Sequence, residues 1–284
     1  MQLRGFSENT VESYSLPTIR FLNQCCKTDV MLLDENDFRA YLLHLHNQGT
    51  LKPASINQYN SAIRFFYEVT LEKDINYKRI PHSKKHKTRP EVLSVPELIS
   101  FFDNINNPKH FAFYLNLYGS GLRISEMVSL QTGDIDGKRM LLHVRNGKGG
   151  KERFTLLTEA GYKALQYYWK IYRPVNIQNY VFPDYTRTRT LSTEAFESMF
   201  KKVSKDAGLC KSATPHTLRH SFSTHSLQSG MDLMTLKEML GHSSLSSTSV
   251  YLHLSLVDQS NKRSPSDVTA EIQSLFNERN FIHG

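Results

Sequence analysis

Apolar residues in the first 76 positions recur at helical rather than alternating intervals. Val11, Tyr14, Ile19 and Leu22 lie on a segment that Ser7 can cap, and Pro17 is expected to kink or divide it. Between Asn36 and Gln48, Phe38, Tyr41, Leu42 and Leu45 share one helical face, and Gly49 supplies the stop. Pro53 takes a favoured first-turn position for a segment through Ile56, Tyr59, Ile63, Phe66 and Tyr67. These spacings predict a small all-helical unit.

Beyond residue 90 the pattern is mixed. Ser94 with Glu97 forms a capping-box signature, and Phe111 to Tyr118 reads as an apolar helix broken at Gly119-Ser120-Gly121. A further helix is expected to carry Arg123, Ile124, Glu126, Met127 and Leu130. Arg139–Arg145 and Lys151–Leu157 alternate like strands, and the Asn146-Gly147 step between them signals a hairpin. Helices are predicted near Thr158–Lys170 and Ser192–Ala207, from Pro215 with Thr214 as cap, and along Leu233, Leu236 and Leu240 up to Gly241. A last helix spans Asp267 to Asn280, with Val268, Ile272, Leu275 and Phe276 on one side. The predicted class is mainly α with a small β-sheet, an α+β chain.

Composition narrows the possibilities. The 284 residues are 39% hydrophobic and 22% charged, as in a globular protein. No apolar run approaches the ~20 residues needed to span a bilayer, and the first residues lack a signal-peptide layout. Cys25, Cys26 and Cys210 are too few for a disulfide framework or a zinc site, so a reducing, cytoplasmic setting is expected. The net charge is +8, and six cations with no carboxylate lie between Lys78 and Arg89. That run, with Lys84, Lys85, Lys87 and Arg89 in its second half, reads as a linker laid along a polyanion.

Candidate chemistry gathers in the second half. His216, Arg219 and His220 stand at i, i+3 and i+4, one face suited to gripping an anion and ill suited to a core. Gly241 delivers His242 at the end of its helix, and Tyr251 follows the small polar stretch Ser243–Ser249. The pair His216 and His220 also has the spacing of a zinc-binding helix, but Thr217 stands where a metallohydrolase needs Glu. No Walker loop and no acidic triad for two magnesium ions is present.

Four stretches together resemble the tyrosine recombinase (phage integrase) family, closest to its Xer-type members. They are Gly-Ser-Gly-Leu-Arg-Ile-Ser-Glu from Gly119 to Glu126, Gly-Lys-Gly-Gly-Lys-Glu-Arg from Gly147 to Arg153, His-Thr-Leu-Arg-His from His216 to His220, and Leu-Gly-His-Ser-Ser from Leu240, leading to Tyr251. The resemblance covers nearly the whole chain in order. It implies an N-terminal helical core-binding, SAM-like domain over 1–76, a basic linker over 77–90, a catalytic domain over 91–263 and a tail helix over 264–284, together forming a C-shaped clamp on DNA. In relatives the last helix docks on a neighbouring protomer, and the same is expected here. Xer-type relatives also carry a helix ahead of the position matching Gly5–Thr10, so a shortened start or loss of that helix is expected.

The resemblance further implies that Arg123, Lys148, His216, Arg219, His242 and Tyr251 are catalytic, with Glu126 and His220 supporting them. The expected reaction is site-specific DNA cleavage and rejoining through a 3′-phosphotyrosyl intermediate, with no metal, ATP or other cofactor. The expected partners are double-stranded recombination sites and further copies of the chain, a dimer on each site and a tetramer in the synapse, or a paralogous recombinase. A role in DNA integration or with a mobile genetic element fits the same chemistry. A DNA-binding regulator without catalysis and a type IB topoisomerase-like enzyme are the alternatives.

In chemical terms, Arg123 and Arg219 can hold the non-bridging oxygens of a phosphodiester through forked, charge-assisted bonds, and His242 can add a donor. A phenol of pKa near 10 is ionised to only about one part in a thousand at pH 7, a cost of roughly 4 kcal/mol. Neighbouring cations are expected to lower that cost, with His216 as general base. Lys148, on a glycine-flanked hairpin tip, can protonate the departing sugar oxygen.

Overall fold

The computed structural model describes residues 4–6, 8–83, 90–145, 147, 152–176, 178–209, 212–257 and 263–281. Ser7, Lys84, Lys85, Lys87, Arg89, Lys148 and Cys210 lie outside that set. The chain divides into two compact units, Met1–Thr88 and Arg89–Gly284, each with its own core.

The first unit is built from α1 (Glu8–Cys25), α2 (Glu35–Gln48) and α3 (Pro53–Phe65). Asp34 caps α2 with a full capping box, and Gly49 closes it in the left-handed conformation. A single π turn, Phe66–Thr70, follows α3 and carries Tyr67 into the core beside Phe21 and Phe38. Of the kink or division expected at Pro17, the division does not occur: α1 runs through it unbroken. Proline removes the N–H that would have bonded the Ser13 carbonyl, and Gln58 Nε2 of α3 donates to that oxygen instead, at 3.4 Å. The orphaned acceptor is satisfied from the neighbouring helix, and the buried Pro17 ring packs rather than breaks.

The second unit begins with α4 (Val95–Asp103), capped by Ser94 and Glu97 as the sequence indicates. The long, almost wholly buried α5 (Pro108–Ser120) runs through Gly119 and Ser120 and ends only at Gly121, φ +62°. The short α6 (Ile124–Val128) follows, with Arg123 at its N-cap rather than within it. Leu130 lies beyond its end. A three-stranded antiparallel sheet comes next, ordered β1 (Ile135–Asp136), β2 (Leu141–Val144), β3 (Arg153–Leu156). Val144 pairs with Arg153 and Leu142 with Thr155. The two-residue β1 is too short to show alternation and was not legible in the sequence.

Helices α7 (Glu159–Tyr172) and α8 (Thr193–Asp206) complete one side, each capped by the hydroxyl residue before it, Thr158 and Ser192. The second central helix, α9 (Pro215–Gln228), packs on α5, and α10 (Leu233–Leu240), α11 (Ser246–Val257) and α12 (Pro265–Phe281) follow. The polar run before Tyr251 is thus partly helical, although its serines are weak helix formers. Val268, Ile272 and Phe276 of α12 are buried in the chain's own second unit, where Phe276 stacks on Phe111 at 3.8 Å between ring centres. The apolar side expected to meet a neighbouring protomer is therefore filled in cis in the monomer.

Gly121 positions the turn into α6. A Cβ there would lie 2.3 Å from the Phe222 ring and force a side chain into a left-handed conformation. Gly121→Ala is expected to lower the unfolding free energy by about 3 kcal/mol in urea titrations, summing overpacking and backbone strain. A change below about 1 kcal/mol would contradict this placement.

Candidate active site

The pocket is organised around a buried carboxylate. Glu126, on α6 and 7% exposed, accepts from its own cap: the Arg123 backbone N–H reaches Oε2 at 2.8 Å and Arg123 Nη1 reaches Oε1 at 2.6 Å. Arg153, the first residue of β3, adds a forked pair, Nη1 to Oε1 at 2.9 Å and Nη2 to Oε2 at 2.7 Å. Burial would raise the pKa of Glu126, but the Arg153 and Arg123 hydrogen bonds and charges prevail and hold it down to about 2. At neutral pH this group is an anion.

Arg219 is 4% exposed, which overturns the expectation that its helix face is unfit for burial. Its guanidinium is satisfied by main chain: Nη1 donates to the Gly121 carbonyl and Nη2 to the Leu240 carbonyl, both at 2.6 Å. Nη1 also lies 3.9 Å from Glu126. Burial lowers its pKa to about 10, still far above neutrality. One side chain therefore ties the turn before Arg123 to the turn before His242. The carbonyls it and Arg153 collect at the end of α10 are among those a helix C-terminus leaves unpaired.

His242 follows Gly241, which ends α10 at φ +64°. Its Nε2 lies 3.3 Å from Arg219 Nη2, and its Nδ1 lies 3.0 Å from the hydroxyl of the fully buried Thr248. A guanidinium N–H can only donate, so Nε2 is the acceptor and Nδ1 carries the proton toward Thr248. Burial, then the charges of Arg219, Arg123 and Arg153, lower the His242 pKa to about 4. In the DNA-free chain this imidazole is neutral and has no donor to spare, unlike the free donor expected from sequence.

Tyr251 lies on α11, which packs along α9 and α10, and is 4% exposed. Its hydroxyl meets His220 Nδ1 at 2.8 Å. Burial raises its pKa, and Arg219, a Ser223 hydrogen bond and Arg123 offset this only in part. The cations do pull the value down as expected, but desolvation outweighs them and the phenol is held protonated. His220, lowered to about 4 by burial and by the charges of His216 and Arg219, is neutral beside it, and in the tautomer with Nδ1 unprotonated it accepts the phenol's proton.

The structure thus brings Arg123, Glu126, Arg219, His220, His242 and Tyr251 together. His216, at the head of α9, keeps an exposed side chain; burial of its inner part and the nearby Arg219 and Arg123 charges lower its pKa. The histidine in contact with the phenol is His220, not His216, the residue expected to act as base. Lys148 and the linker cations Lys84, Lys85, Lys87 and Arg89 lie outside the described residues. Two contributors were not singled out from sequence: Thr248, which orients His242, and Arg153. Strand alternation carried a signal for Arg153, since it shares the inward face of β3 with buried Thr155 while Phe154 points out.

Among the described residues, no cluster of three or more His, Cys, Asp or Glu could hold a metal ion, and no helix is long and apolar enough to cross a membrane. The phage integrase family profile matches residues 91–256, and the phage integrase N-terminal SAM-like domain matches residues 1–77. A Sinorhizobium fredii protein, y4qK, described as an integrase/recombinase, is 37% identical over 89% of this chain and 82% of its own length. The tyrosine recombinase XerD of Oceanobacillus iheyensis is 32% identical over 88% of this chain and 89% of its own. Among solved structures, XerH site-specific recombinase bound to a palindromic difH substrate superposes with a TM-score of 0.72 at 22% identity, covering 89% of this chain and 78% of that one, a likeness of fold. With a profile spanning more than half of its residues and relatives above 30% identity along most of its length, this chain belongs to the phage integrase family of tyrosine site-specific recombinases, in its Xer-like branch.

Proposed function

We propose that the chain cleaves one strand of a double-stranded DNA site with Tyr251, holds the broken end as a 3′-phosphotyrosyl ester and transfers it to the 5′-hydroxyl of another strand. The observation that carries this reading is the 2.8 Å contact between the buried phenol and a neutral imidazole, within the field of Arg219 and Arg123. Arg123, Arg219 and His242 receive the non-bridging oxygens. Arrival of an anionic phosphate raises the basicity of the nearby imidazoles. His242 can then exchange its contact with Arg219 for a donated bond to phosphate.

The phenol is held protonated at rest, so its proton leaves as attack proceeds rather than beforehand. It passes to His220 Nδ1 while the tyrosine oxygen forms the new bond to phosphorus and the bond to the 5′ oxygen breaks. Lys148 gives the departing 5′ oxygen its proton. Ester energy is conserved, so the reverse attack by a 5′-hydroxyl needs neither ATP nor a metal.

On this reading the core-binding domain over residues 1–76 and the catalytic domain over 91–263 each contact duplex DNA, in the cytoplasm. Lys84, Lys85, Lys87 and Arg89 of the basic stretch over 77–90 supply positive charge for the DNA phosphates. Two protomers occupy each site and four form the synapse, with the tail beyond residue 264 able to serve coupling between protomers. Both the lineage and this chemistry suit the movement or resolution of DNA between paired sites.

Two measurements test this. Tyr251→Phe should bind its DNA site with unchanged affinity yet form no covalent adduct on a nicked suicide duplex, while the wild-type chain forms the adduct equally well in EDTA and joins two different duplexes. An adduct from the Phe variant, or its loss in EDTA, would sink the proposal. The second concerns protons. His220 and His242 have folded pKa values of about 4, below the ~6.5 of an unfolded imidazole. The unfolded chain therefore binds more protons between those values, and stability is full above about pH 6.5 and falls as the pH drops toward 4. Urea unfolding at pH 5 should show a loss of about 1–2 kcal/mol per histidine relative to pH 7.5, discounted for partial exposure. His220→Asn should remove its share; an unaltered pH slope in that variant would contradict the neutral assignment.

A further inference from the structure

We infer that Arg153 is a positioning residue for strand cleavage, keeping Arg123 on a single tether to Glu126 and fixing the turn that presents His242. The inference rests on the recombinase reading above. A carboxylate offers about four lone-pair sites. Glu126 has all four engaged, two by Arg123 (Nη1 and the backbone N–H) and two by Arg153. Arg123 thus spends one guanidinium N–H on Glu126, and its side chain, 21% exposed, meets no other acceptor among the described residues. The rest of its donors are left for phosphate.

Removing Arg153 would open two lone pairs on a buried anion whose remaining cations are Arg123 and Arg219, the latter already 3.9 Å away. A buried carboxylate so exposed draws the nearest guanidinium into a forked pair. Each N–H so captured is one that the phosphate loses.

The same side chain has a second hold. Arg153 Nε donates to the Met239 carbonyl at 2.8 Å, in the last turn of α10. Its stem runs beneath Gly241: a Cβ on that glycine would sit 2.9 Å from Arg153 Cδ. His242 is the next residue, so the register of the α10 terminus is set from β3 as well as from Arg219. Lysine cannot reproduce this arrangement, because a point ammonium does not span two carboxylate oxygens and a carbonyl at once.

The test uses Arg153→Lys, Arg153→Gln, Glu126→Gln and the Glu126→Gln/Arg153→Gln double variant. The rate of covalent adduct formation is read on pre-bound nicked duplex, per folded molecule, beside DNA affinity. Arg153→Lys should bind DNA within about threefold of wild type yet form adduct at least about 30-fold more slowly, the scale expected of a misplaced catalytic group. The double variant should lose about as much as the worse single variant, since both act through one unit. A purely structural role would shift the urea midpoint and leave the rate per folded molecule intact. An Arg153→Lys rate within about threefold of wild type, or additive losses in the double variant, overturns the inference.

If the wild-type chain forms no adduct, the recombinase reading itself fails. The Arg153–Glu126 linkage is then judged from the same four variants by urea unfolding without DNA, where coupling of at least about tenfold in the unfolding constant is expected and its absence overturns the inference.

Discussion

One buried carboxylate makes it possible for three guanidiniums to share a pocket. Glu126 neutralises one of the charges of Arg123, Arg153 and Arg219, leaving an excess of two positive charges with very little water to screen them. That excess has two consequences of the same origin. It suits the pocket to an anion such as the phosphodiester of the proposed reaction, and together with burial it keeps His216, His220 and His242 from taking up protons. Loss of Glu126 would leave the arginines uncompensated, a change that typically costs 3–5 kcal/mol.

The arginines are also the mortar of the site. Arg219 joins the Gly121 and Leu240 carbonyls, and Arg153 takes the Met239 carbonyl. The turn before α6, β3, α9 and the end of α10, distant in sequence, are thereby held together through arginine side chains that donate to main-chain carbonyls. Tyr251 is placed differently. Its ring is buried against α9 and its hydroxyl rests on His220, so the phenol is held in its neutral form.

Much of this was legible in the residues. Ser94 with Glu97 marked α4 and Thr214 with Pro215 marked α9, while the apolar face of α2 and its Gly49 stop marked that helix. The i, i+3, i+4 spacing correctly grouped Arg219 with its histidines. What sequence could not supply was which neighbour each group faces. Pro17 was read as a breaker because the Gln58 side chain that caps the freed carbonyl comes from another helix. The net effect on the Tyr251 hydroxyl depends on a balance between burial and charge that only packing decides. The imidazole that meets the phenol is His220 rather than His216 because α11 lies beside one flank of α9 rather than the other. Arg153 escaped notice because a basic residue opening a strand after a basic hairpin looks like one more phosphate contact until its fork is seen around Glu126.

The central claim is that Tyr251 itself becomes esterified to DNA. Trapping the chain on a nicked duplex, digesting protein and DNA, and sequencing the nucleotide-bearing peptide by mass spectrometry tests it directly. A single modified peptide spanning Tyr251, with the phosphate linking the phenol to a 3′ nucleotide, is the expected result. A nucleotide on any other residue, or a 5′ linkage, would contradict it.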